Sequence, residues 1–246
     1  MKILILDIET SPNLVHVWQL FKQTVSINQI LESSYVMCWA AKWYGEKKVL
    51  FSSTYKTSHK NMIKEIHSLI DQADAIVTYN GKRFDMPTLN KEFLKYGFHP
   101  PSPYKDIDLI QTVRGVFNFP SNKLDYVSQQ LNIGKKVSHS GHELWIKCLN
   151  NNPKAWATMT KYNKQDVVLT EELYDKIKGW IRNHPNHNTT DEVVCINCGS
   201  GKLQKRGSAC NTKFTYQRLQ CQSCGKWMRS NKALHKKNQS ESVTNI

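Results

Sequence analysis

Apolar positions come first as short unbroken runs and later at helical spacing. Residues 3–6 (Ile-Leu-Ile-Leu) form an apolar run ended by Asp7 and Glu9, the pattern of a strand buried on both faces. Residues 35–43 predict a second strand, and the turn Gly45-Glu46 leads into residues 47–53 to make a hairpin. Met62, Ile63, Ile66, Leu69 and Ile70 share one face of a helix over residues 60–71, capped by Thr57 or Ser58. Residues 75–78 are another buried strand, ending in the turn Tyr79-Asn80-Gly81. Pro87 opens a further helix with Leu89, Phe93 and Leu94 inward and Gly97 ending it. Residues 107–110 fit a strand or the start of a helix. Leu124, Val127 and Leu131 fit a helix stopped by Gly134, residues 135–141 a polar loop, and residues 142–149 another helix. The longest helical pattern is capped by Thr160 and carries Tyr162, Asp166, Leu169, Leu173 and Ile177 on one face to about Trp180. A hairpin-rich start followed by alternating strands and helices predicts an α/β fold around a mixed sheet.

Composition narrows this to a soluble, basic chain that prefers an acidic partner. The 246 residues carry a formal charge of +14, with 10 basic and 3 acidic residues from position 183 onward. A polyanion such as nucleic acid is the economical partner, through phosphate neutralisation. No apolar run approaches a membrane span, and no signal-type segment opens the sequence, so the expected location is intracellular and cytoplasmic.

Asp7 and Glu9 are two apart on a strand and project from the same face. Paired acids at a strand end are either solvated surface groups or the flanks of a cation. Two further acids reach comparable places. Asp85 follows a strand–turn unit, at the sheet edge where open α/β sheets bind ligands. Asp166 lies four residues after Tyr162 on one helix face, where burial is costly without a partner. Four carboxylates suit two hard cations such as Mg²⁺. Asp106 and Asp108 read as strand-end or capping acids. Lys82, Lys135 and Lys136 read as phosphate contacts or a solvated basic face, and His139 and His142 as surface or substrate-contact residues.

The segments Asp7-Ile8-Glu9-Thr10, Tyr79-Asn80-Gly81-Lys82-Arg83-Phe84-Asp85 and Tyr162-Asn163-Lys164-Gln165-Asp166 resemble the three exonuclease motifs of the DEDD superfamily, tyrosine subclass. That superfamily has the ribonuclease H-like fold and is similar to the proofreading domains of family B DNA polymerases. The resemblance spans residues 1–182. It implies 3′→5′ removal of nucleotides with two Mg²⁺ or Mn²⁺ ions held by Asp7, Glu9, Asp85 and Asp166. It also implies Tyr162 at the attacking water and Asn80 beside the substrate's terminal nucleotides, and Thr10 and Lys82 are further candidate substrate contacts.

Cys195-x-x-Cys198 and Cys221-x-x-Cys224 are separated by 22 residues, and each pair is followed by glycine, Gly199 and Gly225. Four thiolates make a closed, structural Zn²⁺ site, and the module resembles a zinc ribbon. Cys38 and Cys148 read as core residues, and Cys210 as spare. Basic and aromatic residues interleave in the module, which reads as a nucleic-acid grip or, failing that, a protein-docking unit.

The organisation expected is a ribonuclease H-like exonuclease domain over 1–182, a linker over 183–192, a zinc ribbon over 193–230 and a disordered basic tail over 231–246. The expected activity is hydrolysis of single-stranded or frayed DNA 3′ ends, with a replication or repair protein as a further partner. The same chemistry on RNA, an endonuclease on the same fold, and a non-catalytic nucleic-acid-binding protein stand as alternatives.

Overall fold

The computed structural model describes residues 1–186, 188 and 192–235. The chain divides into two compact units, Met1–Tyr174 and Asp175–Ile246. The division falls ahead of the 182/183 boundary read from the sequence.

In the first unit the chain runs β1 (Ile3–Thr10), β2 (Leu14–Val15), β3 (Ile30–Glu32), β4 (Val36–Trp43), β5 (Leu50–Ser53), α1 (His59–Asp71), β6 (Ala75–Thr78), α2 (Asp85–Lys95), β7 (Lys105–Asp108), α3 (Leu109–Val116), α4 (Leu124–Gln130), α5 (His142–Leu149) and α6 (Pro153–Ile177). Five strands form a mixed sheet in the order β5-β4-β1-β6-β7. β1 is antiparallel to β4 and parallel to β6, and β6 is parallel to β7. The fold is the ribonuclease H-like α/β arrangement of a mixed sheet flanked by helices. β1 sits at its centre, so Leu4, Leu6 and Ile8 are buried in one cluster with Met62, Ile63 and Ile66 of α1. A second cluster joins Met37 and Cys38 of β4 to Leu144 and Cys148 of α5 and to Trp156, Met159 and Tyr162 of α6. Cys38 and Cys148 are therefore core residues.

Local chemistry explains most element ends. The Ser58 hydroxyl accepts from the Asn61 N–H and caps α1. Gly97, at φ +70°, follows the C-cap of α2, and Phe98 N–H returns to the Phe93 carbonyl. Residues 107–110 serve both readings: β7 ends at Asp108, whose side chain accepts from Ile110 N–H and caps α3.

Three expectations need correction. Leu94 is 80% exposed rather than inward. α2 begins at Asp85, so Pro87 stands in its first turn rather than opening it. The long helix starts at Pro153, not at Thr160. Asn152 Oδ1 accepts from Lys154 and Ala155 N–H groups (3.0 and 3.1 Å), with proline at the first helical position, where its missing N–H costs nothing. Thr160 lies inside the helix and its hydroxyl bonds back to the Trp156 carbonyl at 2.7 Å.

The second unit contains the end of α6, a short 3₁₀ turn (Lys178–Trp180) and a three-stranded antiparallel sheet of β8 (Leu203–Cys210), β9 (Thr215–Cys221) and β10 (Trp227–His235), in the order β10-β9-β8. β10 runs to His235, past the expected start of a disordered tail at 231. Residues 236–246, and residues 187 and 189–191 of the expected linker, lie outside the described residues. Among the described residues, no helix is long and apolar enough to cross a membrane.

Candidate active site

β1 points Ile8 into the core (2% exposed) and Asp7 and Glu9 to the other face. Parity on the strand dictates this. On α6, Tyr162 and Asp166 are one turn apart and both buried. The result is a group of three carboxylates, Asp7, Glu9 and Asp166, whose ligand atoms all lie within 4.8 Å of one another. Asp85 lies outside that group of three. It sits at the start of α2, and its Oδ1 accepts from Ile8 N–H at 3.1 Å, beyond the last β1–β6 pair at Ile5.

The turn between β6 and α2 is built for close packing. Asn80 adopts φ +73°, and its N–H donates to Asp108 Oδ1 at 2.7 Å. Gly81 has no room for a side chain, since a Cβ would lie 2.3 Å from Thr78 Oγ1. This brings Asn80 to the wall of a cleft of about 550 Å³, shared with Asp7, Tyr79, Arg114, Lys123 and Lys136. Acid and basic groups thus line one cavity. Thr10 ends β1 at a register shift, partly buried. Lys82 is exposed, and its charge acts on Asp106.

Two further residues join the site. Asn163, fully buried, donates Nδ2 to Asp7 Oδ2 at 2.6 Å, fixing that carboxylate from α6. Its place next to Tyr162 in the third motif was the available signal. Lys136, from the polar loop before α5, forms an ion pair with Asp166, and its Nζ lies 3.2 Å from the Tyr162 hydroxyl. His139 from the same loop packs edge-on against the Tyr162 ring, with centroids 4.7 Å apart.

A family model described as the RNase H superfamily matches residues 31–178, more than half of the chain. The chain belongs to the RNase H superfamily. The match takes in the Asn80 turn, Asp85, Tyr162 and Asp166, while β1 with Asp7 and Glu9 precedes it. Among solved structures, the chain is similar to a family B DNA polymerase from the hyperthermophilic archaeon Pyrobaculum calidifontis, at 19% identity and a TM-score of 0.57. That alignment covers 72% of this chain and 24% of the polymerase, and it speaks to the fold. No curated protein matches the sequence. Membership of the RNase H superfamily supports a nuclease function in general, and with it binding of nucleic acid.

The electrostatics of this RNase H-like site fit a cation. Burial raises the Asp7 pKa well above the usual carboxylate range, and Asp85, Glu9 and Asp166 push it further. Burial and then the Asp166 charge raise Glu9 to about 8. Asp85 is raised to about 7, chiefly by burial, against the Ile8 N–H that favours its charged form. Asp166 is raised by burial despite Lys136. Burial disfavours a charged Lys136, but the attraction of Asp166 and Tyr162 outweighs it and raises the Lys136 pKa. Among the described residues, no donor reaches the buried Asp166 Oδ1. Crowded carboxylates with an orphaned buried oxygen are a hard-oxygen donor set that a divalent cation satisfies.

The cysteines form the second donor set. All four Sγ atoms lie within 4.8 Å of one another, with Cys195–Cys224 at 3.6 Å and Cys198–Cys221 at 3.7 Å. A tetrahedral zinc with Zn–S near 2.3 Å has S···S edges of about 3.8 Å. The two knuckles are alike. Asn197 N–H reaches Cys195 Sγ and Ser223 N–H reaches Cys221 Sγ, both at 3.4 Å. Gly199 and Gly225 follow at φ +72° and +74°, and their N–H groups return to the Cys195 and Cys221 carbonyls. Burial pushes the Cys221 thiol up, but backbone N–H groups of Cys224 and Ser223 outweigh it and bring it down to about 7. The cluster fits a zinc ribbon. Asn197 Nδ2 also donates to the Lys178 carbonyl at 3.1 Å, and Gly179 lies so close to the Cys224 carbonyl that a Cβ would clash at 2.2 Å. Residues 178–179 therefore pack on the knuckles, a contact that the cysteine spacing could not announce.

Proposed function

We propose that the chain is a metal-dependent 3′→5′ exonuclease acting on single-stranded or frayed DNA ends. The observation that carries this reading is the convergence of Asp7, Glu9 and Asp166 within 4.8 Å, beside Tyr162 and at a cleft with Asn80 on its wall. Asp7, Glu9, Asp85 and Asp166 are the residues to hold two Mg²⁺ or Mn²⁺ ions, Asp85 through the oxygen that Ile8 does not occupy. Bound, such ions supply Lewis-acid stabilisation of the phosphoryl oxygens and a water of lowered pKa.

The chain's own residues position the reaction. Asn163 holds the Asp7 carboxylate through Oδ2 and so fixes its orientation. Burial and the Asp166 charge keep the Tyr162 hydroxyl protonated at neutral pH, so it orients a water and does not abstract its proton. Asn80 is placed at the terminal nucleotides, with Arg114 and Lys123 facing the phosphate backbone from the cleft wall. The net reaction adds water across the terminal P–O3′ bond. It leaves a 3′ hydroxyl on the shortened strand and releases a nucleoside 5′-monophosphate. In the second unit, Cys195, Cys198, Cys221 and Cys224 are the residues to hold one structural Zn²⁺.

The test is digestion of matched 5′-labelled and 3′-labelled DNA and RNA oligonucleotides, with and without Mg²⁺. A 5′-labelled DNA ladder that shortens from its 3′ end only with Mg²⁺ is the expected result. Faster digestion of RNA would reassign the substrate, and cleavage of a circular strand would reassign the reaction as endonucleolytic. Tight binding without cleavage of any substrate would overturn the enzymatic reading.

A further inference from the structure

The ribbon sheet has one face of an unusual chemistry. From residue 193 to 235 the sequence holds eight Lys and Arg residues and no Asp or Glu. In the antiparallel register Trp227 stands opposite Gln220, and Arg229 opposite Arg218. Opposed residues share a face, as do residues two apart on one strand. Tyr216, Arg218, Trp227 and Arg229 therefore line one side of β9 and β10.

On that side cations and rings are already paired. The Arg229 guanidinium lies 3.8 Å from the Tyr216 ring centroid, and the Arg218 guanidinium 5.3 Å from that of Trp227. Arg218 is pinned by its Nε, which donates to the Arg206 carbonyl at 2.8 Å, leaving its terminal N–H groups to point elsewhere. A ring beneath a guanidinium fixes the plane of the fork before any ligand arrives. Trp227 is 47% exposed, and both arginines are exposed. These rings cannot be explained as core, because the buried residues from 193 to 234 are Cys195, Asn197 and Cys221.

We infer that this face is a binding platform for single-stranded nucleic acid, with unpaired bases stacked on Trp227 and on the Arg229–Tyr216 pair and with phosphates met by Arg218, Arg206 and their neighbours. The uncompensated positive charge selects a polyanion. The exposed flat groups select among polyanions, since a duplex keeps its base faces buried in its own stack and a single strand offers them. The inference is independent of the hydrolytic reading, which concerns other residues.

The test measures binding of labelled oligothymidylate and of a duplex of equal length to the full-length, zinc-loaded chain by fluorescence anisotropy. Asp7→Asn is carried throughout to prevent digestion, and zinc content is checked for each variant. Trp227→Ala should weaken single-strand binding by about tenfold or more, with less effect on the duplex, and Trp227→Phe should restore most of it. Arg218→Ala with Arg229→Ala should lower the slope of log affinity against log salt by about 1.4. The corresponding double lysine variant should keep that slope and still lose affinity, because charge survives without the stacked fork. Two results would overturn the platform. One is unchanged single-strand affinity in zinc-loaded Trp227→Ala. The other is competition by polyglutamate as effective as by the oligonucleotide, which would mark the face as a dock for acidic protein. If the wild-type chain proved inactive in the digestion assay, these outcomes would stand unaltered.

Discussion

Asp7, Glu9 and Asp166 lie within 4.8 Å of one another, and so do the four cysteine sulfurs, yet the surroundings of the two groups differ. The carboxylates are mounted on β1 and α6, both of which are packed into large apolar clusters. The thiols are mounted on knuckles of a sheet with no apolar core among its described residues, since the buried ones from 193 to 234 are Cys195, Asn197 and Cys221. The first group is a site carried by a fold. The second is a site that makes the fold. A core supplies stability that a metal site then draws against, whereas a small sheet without one depends on the metal to order it.

The strongest test of this contrast removes two cysteines. Cys195→Ser with Cys198→Ser should abolish zinc binding and unfold the ribbon, a loss on the scale of structural zinc sites, about 10–16 kcal/mol. Hydrogen exchange should show β8–β10 unprotected and β1, β4 and β6 unchanged. Zinc retained at one per chain would break the four-cysteine assignment.

Asp7→Asn should have the opposite character. Hydrolysis should fall about a thousandfold, in line with the several kcal/mol that metal-ion catalysis contributes. The melting temperature of the metal-free protein should hold or rise, because one of several crowded charges is gone. A lower melting temperature would show that the acids support the fold.

Gly81→Ala sharpens the comparison within the first unit. Its Cβ would meet Thr78 at 2.3 Å, at the turn that carries Asn80 and Asp85. A stability loss of about 1–3 kcal/mol is expected from overpacking, measured by denaturant melts. Full stability would mean that the turn relaxes without consequence.

The smallest effect is in pH. With Glu9 raised to about 8 and Asp85 to about 7, Mg²⁺ must displace protons, so its affinity should rise with pH through that window, by about tenfold per unit for each proton displaced. The metal-free fold should respond in the opposite sense. A carboxyl with a raised folded-state pKa contributes stability that is present below the unfolded value near 4 and is lost as pH rises through about 7 to 8. Calorimetric titration of Mg²⁺ at pH 6, 7 and 8 and melting curves without metal check both signs, and a flat affinity profile would remove protonation from the account.

What the sequence determined by itself is what local patterns encode. The apolar run before Asp7 placed a central strand, and parity put Asp7 and Glu9 together because side chains alternate along a strand. The i, i+4 spacing of Tyr162 and Asp166 put both on one helix face. Two Cys-x-x-Cys-Gly repeats gave the thiol cluster, because each knuckle is a short-range turn. The start of the long helix is also written locally, in Asn152-Pro153, whereas Thr160 caps only when it stands outside a helix.

Only tertiary structure decided the rest. Lys136 meets Asp166 from a loop thirty residues away, and Asn163 holds Asp7 across 156 residues of chain. Asp85 spends one oxygen on Ile8, so it joins Asp7 electrostatically without entering the tight group of three. The pairing of Arg218 and Arg229 with Trp227 and Tyr216 depends on the register between β9 and β10. Each of these is a contact between segments whose separation no local period measures, and packing of distant segments alone sets which oxygens remain free for a cation.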